Sequence, residues 1–162
     1  MRELHHFIDG KTVTGTSGRF SDIYNPNTGE VQGKVVLATD AEVDTAVQSA
    51  LKAQPEWAAM NPQRRARVMF KFKTLLEENM QELAELLSSE HGKVVADSVG
   101  DVQRGLEVIE FACGIPHLLK GEYTEGAGPG IDVYSMRQPL GVCAGITPFN
   151  FPAMIPMWMF AP

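Results

Sequence analysis

The stretch Gly141-Val-Cys-Ala-Gly-Ile-Thr-Pro-Phe-Asn-Phe-Pro152 decides the fold. Its residues from Gly141 to Ile146 are all apolar or small, which predicts a strand covered on both faces, as in a parallel sheet. In open α/β sheets, ligands sit beyond the carboxyl ends of such strands. Pro148 and Pro152 then frame a stiff turn with one amide side chain, Asn150. An amide held there is placed to donate hydrogen bonds to a developing oxyanion. The plainer alternative is that Asn150 bonds its own backbone, as asparagines in turns often do. Phe149 and Phe151 favour the functional reading, because an amide buried beside rings needs a partner. The predicted class is α/β, with helices around the start of a parallel sheet. An apolar segment, Ala153 to Pro162, follows the turn.

At 162 residues, the chain can bury about two thirds of its unfolded surface. With 44% apolar and 21% charged residues, it has the composition of a globular protein. Its net charge of -6 argues against nucleic acid or an anionic membrane as partner. Basic residues cluster at Arg64, Arg65, Arg67, Lys71 and Lys73, but acidic neighbours follow, so a solvated helix face is expected. Cys113 and Cys143 form neither a disulfide framework nor a metal-binding spacing, and apolar surroundings suggest inert core thiols. The N-terminus lacks an apolar or arginine-rich leader, and no apolar run approaches the ~20 residues of a membrane span. A reduced, cytoplasmic protein is the expectation.

Residues 4 to 38 alternate short apolar pieces with turn formers such as Asp9-Gly10 and Asn25-Pro-Asn-Thr-Gly29, predicting small strands and hairpins edging a larger sheet. Thr39-Asp-Ala-Glu42 is a capping box that opens a helix running to about Trp57. Asn61-Pro62 repeats the start signal. The stripe Val68, Phe72, Leu75, Leu76, Leu83, Leu86 and Leu87 predicts one long second helix closed by Gly92. A third helix, from about Val94 to Ile115, carries Val95, Val99, Val102, Leu106, Ile109 and Cys113 on one face and stops at Pro116. Gly100 and Gly105 inside it each cost about 1 kcal/mol relative to alanine, which is tolerated where a backbone or ligand must come close. Gly126 to Gly130 reads as a flexible turn before a strand from Ile131 to Met136. A strand rather than a helix follows these glycines, and Pro129 removes an amide, so they do not form a dinucleotide-phosphate loop.

Arg104 lies off the apolar stripe and has two readings. One is an ion pair with Asp101 or Glu107, each three residues away, which physics alone favours. The other is a two-pronged grip on a ligand carboxylate. His91 at a helix end suits the dipole, His5 and His6 are expected to be exposed, and no histidine stands beside a nucleophile.

The turn with its preceding residues, Pro139 to Pro152, resembles the first strand and turn of the NAD-binding domain in the aldehyde dehydrogenase superfamily. Gly100-Asp-Val-Gln-Arg-Gly-Leu-Glu-Val-Ile-Glu-Phe-Ala-Cys113 and Met154-Ile-Pro-Met-Trp-Met-Phe160 resemble, more narrowly, its CoA-acylating (methyl)malonate-semialdehyde dehydrogenases. Phe7 to Lys11 and Tyr24 to Gly29 are similar to the family's N-terminal strands. The resemblance implies a division into residues 1–120, the first strands and helices of the NAD-binding domain, 121–138, an oligomerisation arm strand, and 139–162, the first sheet strand and the cofactor and oxyanion turn.

It also implies a chemistry. A cysteine thiolate attacks a semialdehyde, Asn150 stabilises the oxyanion, and hydride passes to NAD. The thioacyl group loses its β-carboxylate as carbon dioxide and is taken by coenzyme A. Ile146, Thr147, Pro148 and Phe149 match cofactor-site positions, and Arg104 matches a residue gripping the substrate carboxylate, which reverses the order of its two readings. The resemblance further implies a homo-oligomer, a homotetramer. Family members are about three times this long, and neither Cys113 nor Cys143 matches the nucleophile. An N-terminal portion of such an enzyme, inactive alone, is therefore expected. The alternatives are a relative that releases a free acid and a non-catalytic assembly piece.

Overall fold

The computed structural model describes residues 2–162; Met1 lies outside the described residues. Short strands come first: β1 (Arg2–Leu4), β2 (His6–Ile8), β3 (Lys11–Val13), β4 (Phe20–Tyr24) and β5 (Val31–Val36). The β2–β3 hairpin turns at Asp9 and Gly10, with φ of 54° and 74°. Two positive φ values fit the twist of a tight hairpin, and Asp-Gly is the pair that reaches them cheaply. β5 is the centre of a three-stranded sheet, parallel to β1 and antiparallel to β4. A Cβ at Gly33 would lie 2.9 Å from the Arg2 carbonyl oxygen, so glycine permits the close β1–β5 approach.

Helix α1 (Asp40–Ala59) starts with the expected capping box. The Glu42 amide donates to Thr39 Oγ1 at 3.2 Å, and Glu42 Oε2 accepts from the Thr39 amide at 2.7 Å. The other carboxylate oxygen accepts from the amide and hydroxyl of Thr16, at 2.7 and 3.0 Å. Glu42 thus ties the helix start to the loop after the first hairpin. Four hydrogen bonds, led by the Thr39 amide, hold its carboxyl at about 2 despite some desolvation. His5 and His6 are half-buried rather than exposed, since β2 packs beside α1 and brings His6 Nε2 within 3.6 Å of Glu42.

The predicted long second helix is two helices, α2 (Pro62–Glu78) and α3 (Met80–His91). Asn79 makes the break: its side-chain amide donates to the Leu75 carbonyl at 2.7 Å, and its own carbonyl accepts from the Leu83 amide. An asparagine that bonds the backbone locally competes with helix continuation. The expected caps at both outer ends are present, Asn61 accepting from the Gln63 amide and Gly92 adopting a left-handed φ of 86°.

Helix α4 (Val95–Cys113) is the central element and is followed by a short 3-10 turn at Ile115–His117. It buries Val102, Leu106 and Ile109, the last at 0% exposure. Leu76, Leu106 and Ile109 form the core, with Met69, Met80, Leu83 and Met157 packed against them. Cys113 is buried as expected, and burial pushes its thiol above the ordinary value. Lys73 bridges Glu77 on its own helix and Glu110 on α4, which supports the solvated reading of the basic cluster.

The glycine-rich segment is more ordered than a turn. Gly126 and Gly128 belong to β6 (Tyr123–Gly128), which pairs antiparallel with β7 (Ile131–Tyr134), and only Pro129 and Gly130 lie between the strands. Helix α5 (Met154–Phe160) lies against α4, burying Met154. The α/β class holds, but the predicted strand at Gly141–Ile146 does not form. Leu140 and Ile146 are each 94% exposed. A strand needs ladder partners for its amides and carbonyls, and no strand among the described residues lies beside this segment. Cys143 is consequently exposed, not core.

Candidate functional site

The turn from Ile146 to Ala153 enters α5, and its backbone is tied to α4 at several points. Lys93 follows the left-handed Gly92, in the short link between α3 and α4. A Cβ at Gly92 would meet Pro26 Cγ at 2.8 Å, so the glycine lets the link turn tightly beside the N-terminal loop. Lys93 Nζ donates to Asp101 Oδ2 at 3.0 Å and to the Asn150 carbonyl at 3.3 Å, and sits 4.6 Å from the centre of the Phe151 ring. Asp101, 2% exposed, uses its other oxygen to accept from the Met154 amide at 2.7 Å. That amide starts α5, where a backbone donor lacks a helical partner. A buried charge needs this kind of satisfaction.

The predicted site residues sit on this frame. Thr147 is half-buried, Ile146 and Pro148 are exposed, and Phe149 is exposed with its ring 5.8 Å from that of His91. Asn150 is exposed. Its carbonyl is held by Lys93, while its carboxamide has no hydrogen-bond partner among the described residues. The self-bonding reading of Asn150 is therefore not the observed one. The carboxamide also does not lie at a sheet terminus, because the strand before it is absent. Arg104 is exposed one turn beyond Asp101, and its carbonyl accepts from Trp158 Nε1 at 3.1 Å. Its guanidinium forms no ion pair among the described residues; Asp101, its expected partner, is engaged by Lys93 instead. The structure brings Arg104 and the Asn150 turn to the same pair of helices, α4 and α5, with no hydrogen bond between them among the described residues.

Sequence reasoning missed Lys93 and named Asp101 only as a partner for Arg104. The available signal was a carboxylate one residue from the apolar stripe of α4, a position that demands a cation. The chain separation of Lys93 and Asp101, across a helix start, hid which cation it was.

A cavity of about 690 Å³ lies between α2, α3 and α5, with Phe72, Leu83, Leu87, Phe149, Pro152 and Met157 among its lining residues. Glu90 is the one charged side chain on its wall. It is the uncovered part of the apolar stripe and offers no cation for a substrate carboxylate. No group of three or more metal-ligating side chains occurs among the described residues, and no described helix is long and apolar enough to cross a membrane.

The Aldehyde dehydrogenase family profile matches residues 12–162. The chain belongs to the aldehyde dehydrogenase family. Among members of this family, a malonate-semialdehyde dehydrogenase of Pseudomonas aeruginosa is 48% identical over 99% of this chain and 32% of its own length. A mouse mitochondrial methylmalonate-semialdehyde/malonate-semialdehyde dehydrogenase (acylating) is 50% identical over 95% of this chain and 29% of its own. A Sinorhizobium meliloti 1021 protein, assigned as a methylmalonate-semialdehyde dehydrogenase and complexed with NAD, superposes with a TM-score of 0.95. It is 70% identical, over 99% of this chain and 33% of that one. The chain thus spans about a third of the aldehyde dehydrogenases it matches.

Proposed function

We propose that the chain supplies the oxyanion-binding turn, cofactor-contacting residues and a substrate-gripping arginine of an NAD-dependent, CoA-acylating (methyl)malonate-semialdehyde dehydrogenase. The observation that carries this is the Asn150 carboxamide, exposed and with no hydrogen-bond partner among the described residues, on a turn whose backbone is held by the Lys93–Asp101 ion pair. Holding the backbone that carries the donor lowers the reorganisation needed when negative charge develops on an aldehyde oxygen. The high identity to semialdehyde dehydrogenases supports the substrate class.

The residues fit NAD in part. Ile146 and Phe149 present uncovered apolar surface and Thr147 a hydroxyl, which suits contact with a nicotinamide end; no basic side chain of the turn would meet the phosphates. NAD, when bound, accepts the hydride released from the substrate carbon. Coenzyme A as acyl acceptor is our reading, which the acylating activity in that relative's name supports, and Arg104, without an ion pair among the described residues, suits the carboxylate of a semialdehyde acid by two-pronged hydrogen bonding. The cysteine nucleophile is not assigned to Cys113, which burial keeps protonated, or to Cys143.

Residues 121–138 support a role in assembly. Tyr123, Ile131, Val133 and Tyr134 are all exposed on the β6–β7 hairpin, and an exposed strand edge pairs readily with another chain. We assign this segment to the arm of a homo-oligomer, a homotetramer in the complete enzyme.

The test is a chimera in which residues 2–162 replace the matching third of the Sinorhizobium meliloti protein. It should reduce NAD with malonate or methylmalonate semialdehyde only when coenzyme A is present, forming acyl-CoA and carbon dioxide. Equal turnover to a free acid without coenzyme A would refute the acylating assignment.

A further inference from the structure

Lys93 and Asp101 do more than satisfy each other. Together they touch the turn at three points: the Asn150 carbonyl, the Phe151 ring and the Met154 amide. Both side chains are almost removed from solvent, at 12% and 0% exposure. A buried pair is weak evidence for stability, since its desolvation offsets much of its attraction. Its geometric effect is better defined. Asp101 fixes where α5 begins, and Lys93, held by Asp101, fixes the peptide group on the C-terminal side of Asn150. Together they fix the backbone from which the Asn150 carboxamide projects; the carboxamide itself has no hydrogen bond among the described residues.

We propose that Lys93 and Asp101 are positioning residues that lock the Asn150 turn onto α4, so that the backbone carrying the carboxamide is in place before substrate arrives. This rests on the oxyanion reading of Asn150. The packing around the pair supports the assignment. Ser88 and Ser98 exchange a 2.7 Å hydrogen bond between α3 and α4 on either side of the Lys93 link, and Gly105 lets α5 approach α4 one turn beyond Asp101. The clamp is therefore braced on both helices that carry it.

The double variant K93M/D101L tests it without stranding one buried charge and, unlike asparagine, leucine leaves no acceptor for the Met154 amide. On the chain itself, hydrogen exchange should be faster by about tenfold or more at the Met154 amide and unchanged at Ile109. K93R, which keeps a cation in reach of Asp101, should retain more protection at Met154 than the double variant. In the chimera, K93M/D101L should lower kcat about 10–100-fold with KM values within about threefold, the signature of a misaimed group rather than lost binding. Unchanged exchange at Met154 overturns the clamp, and so does a kcat within about twofold of the parent once protection is lost. N150A separates the two ideas. If N150A is fully active, the oxyanion reading falls, and the exchange result alone decides whether Lys93 and Asp101 hold the turn.

Discussion

Replacing Gly100 and Gly105 by alanine, one at a time, separates what helix α4 prefers from what its neighbour permits. A Cβ at Gly100 meets nothing within 4 Å. Gly100→Ala therefore only raises helix propensity and reduces the freedom of the unfolded chain, a gain of about 1 kcal/mol. At Gly105 the same Cβ would lie 2.4 Å from Met157 Sδ and 3.3 Å from Met154 Cα and Met157 Cβ. The sulfur can swing aside, but Met154 Cα is backbone at the start of α5. Its amide is bonded to Asp101, so it can yield only by disturbing that contact. Overpacking costs about 1–3 kcal/mol, and subtracting the propensity gain of about 1 kcal/mol leaves Gly105→Ala between about neutral and 2 kcal/mol less stable. The two variants should thus differ by about 1–3 kcal/mol, at least ~2 °C in Tm for a domain of this size. Urea unfolding followed by circular dichroism reads both. Equal stabilisation by the two substitutions would refute the close α4–α5 contact.

Three further outcomes are expected. Asn150→Ala should reduce kcat in the chimera about 10²–10³-fold while leaving stability within about 0.5 kcal/mol, as an exposed side chain implies; a small kinetic effect would remove its oxyanion role. Because the folded pKa of Glu42, about 2, lies below its ordinary 4.5, its stabilisation is full above about 4.5 and is lost as pH falls toward 2. Glu42→Gln should flatten that acid limb, measured by the Thr16 amide signal against pH, and an identical limb in both proteins would contradict the capping geometry. Ile109→Ala should cost about 2–5 kcal/mol in urea unfolding, and a loss below 1 kcal/mol would show that the site is not the packed centre.

Much of the helical layer was legible because its signals are local. Thr39 with Glu42, Asn61 with Pro62, and Gly92 each act within one turn of chain, and each operates as the residues dictate. The apolar stripe of α4 was equally readable, since a period near 3.6 survives any partner that covers it. Asn79 shows the limit: the stripe runs through it unbroken, and only the competing bond to Leu75 reveals two helices. Gly141 to Ile146 shows the limit from the other side. A continuous apolar run specifies a wish to be covered, not the partner that covers it, and strand formation waits for a neighbouring ladder.

The candidate site divides along the same line. The amino-acid order alone placed Asn150 on a proline-framed turn, put Arg104 on a half-apolar helix, and carried the family likeness in its motifs. Only the tertiary structure paired Asp101 with Lys93, left the guanidinium of Arg104 without that partner, and distinguished Gly105 from Gly100. The Lys93–Asp101 pairing spans only eight residues but crosses a helix start, whereas the Gly105 distinction depends on a distance between segments far apart in the chain, α4 and α5. No local preference of either segment encodes such a distance; it is set when α5 docks on α4 and a buried charge takes the nearest group able to neutralise it.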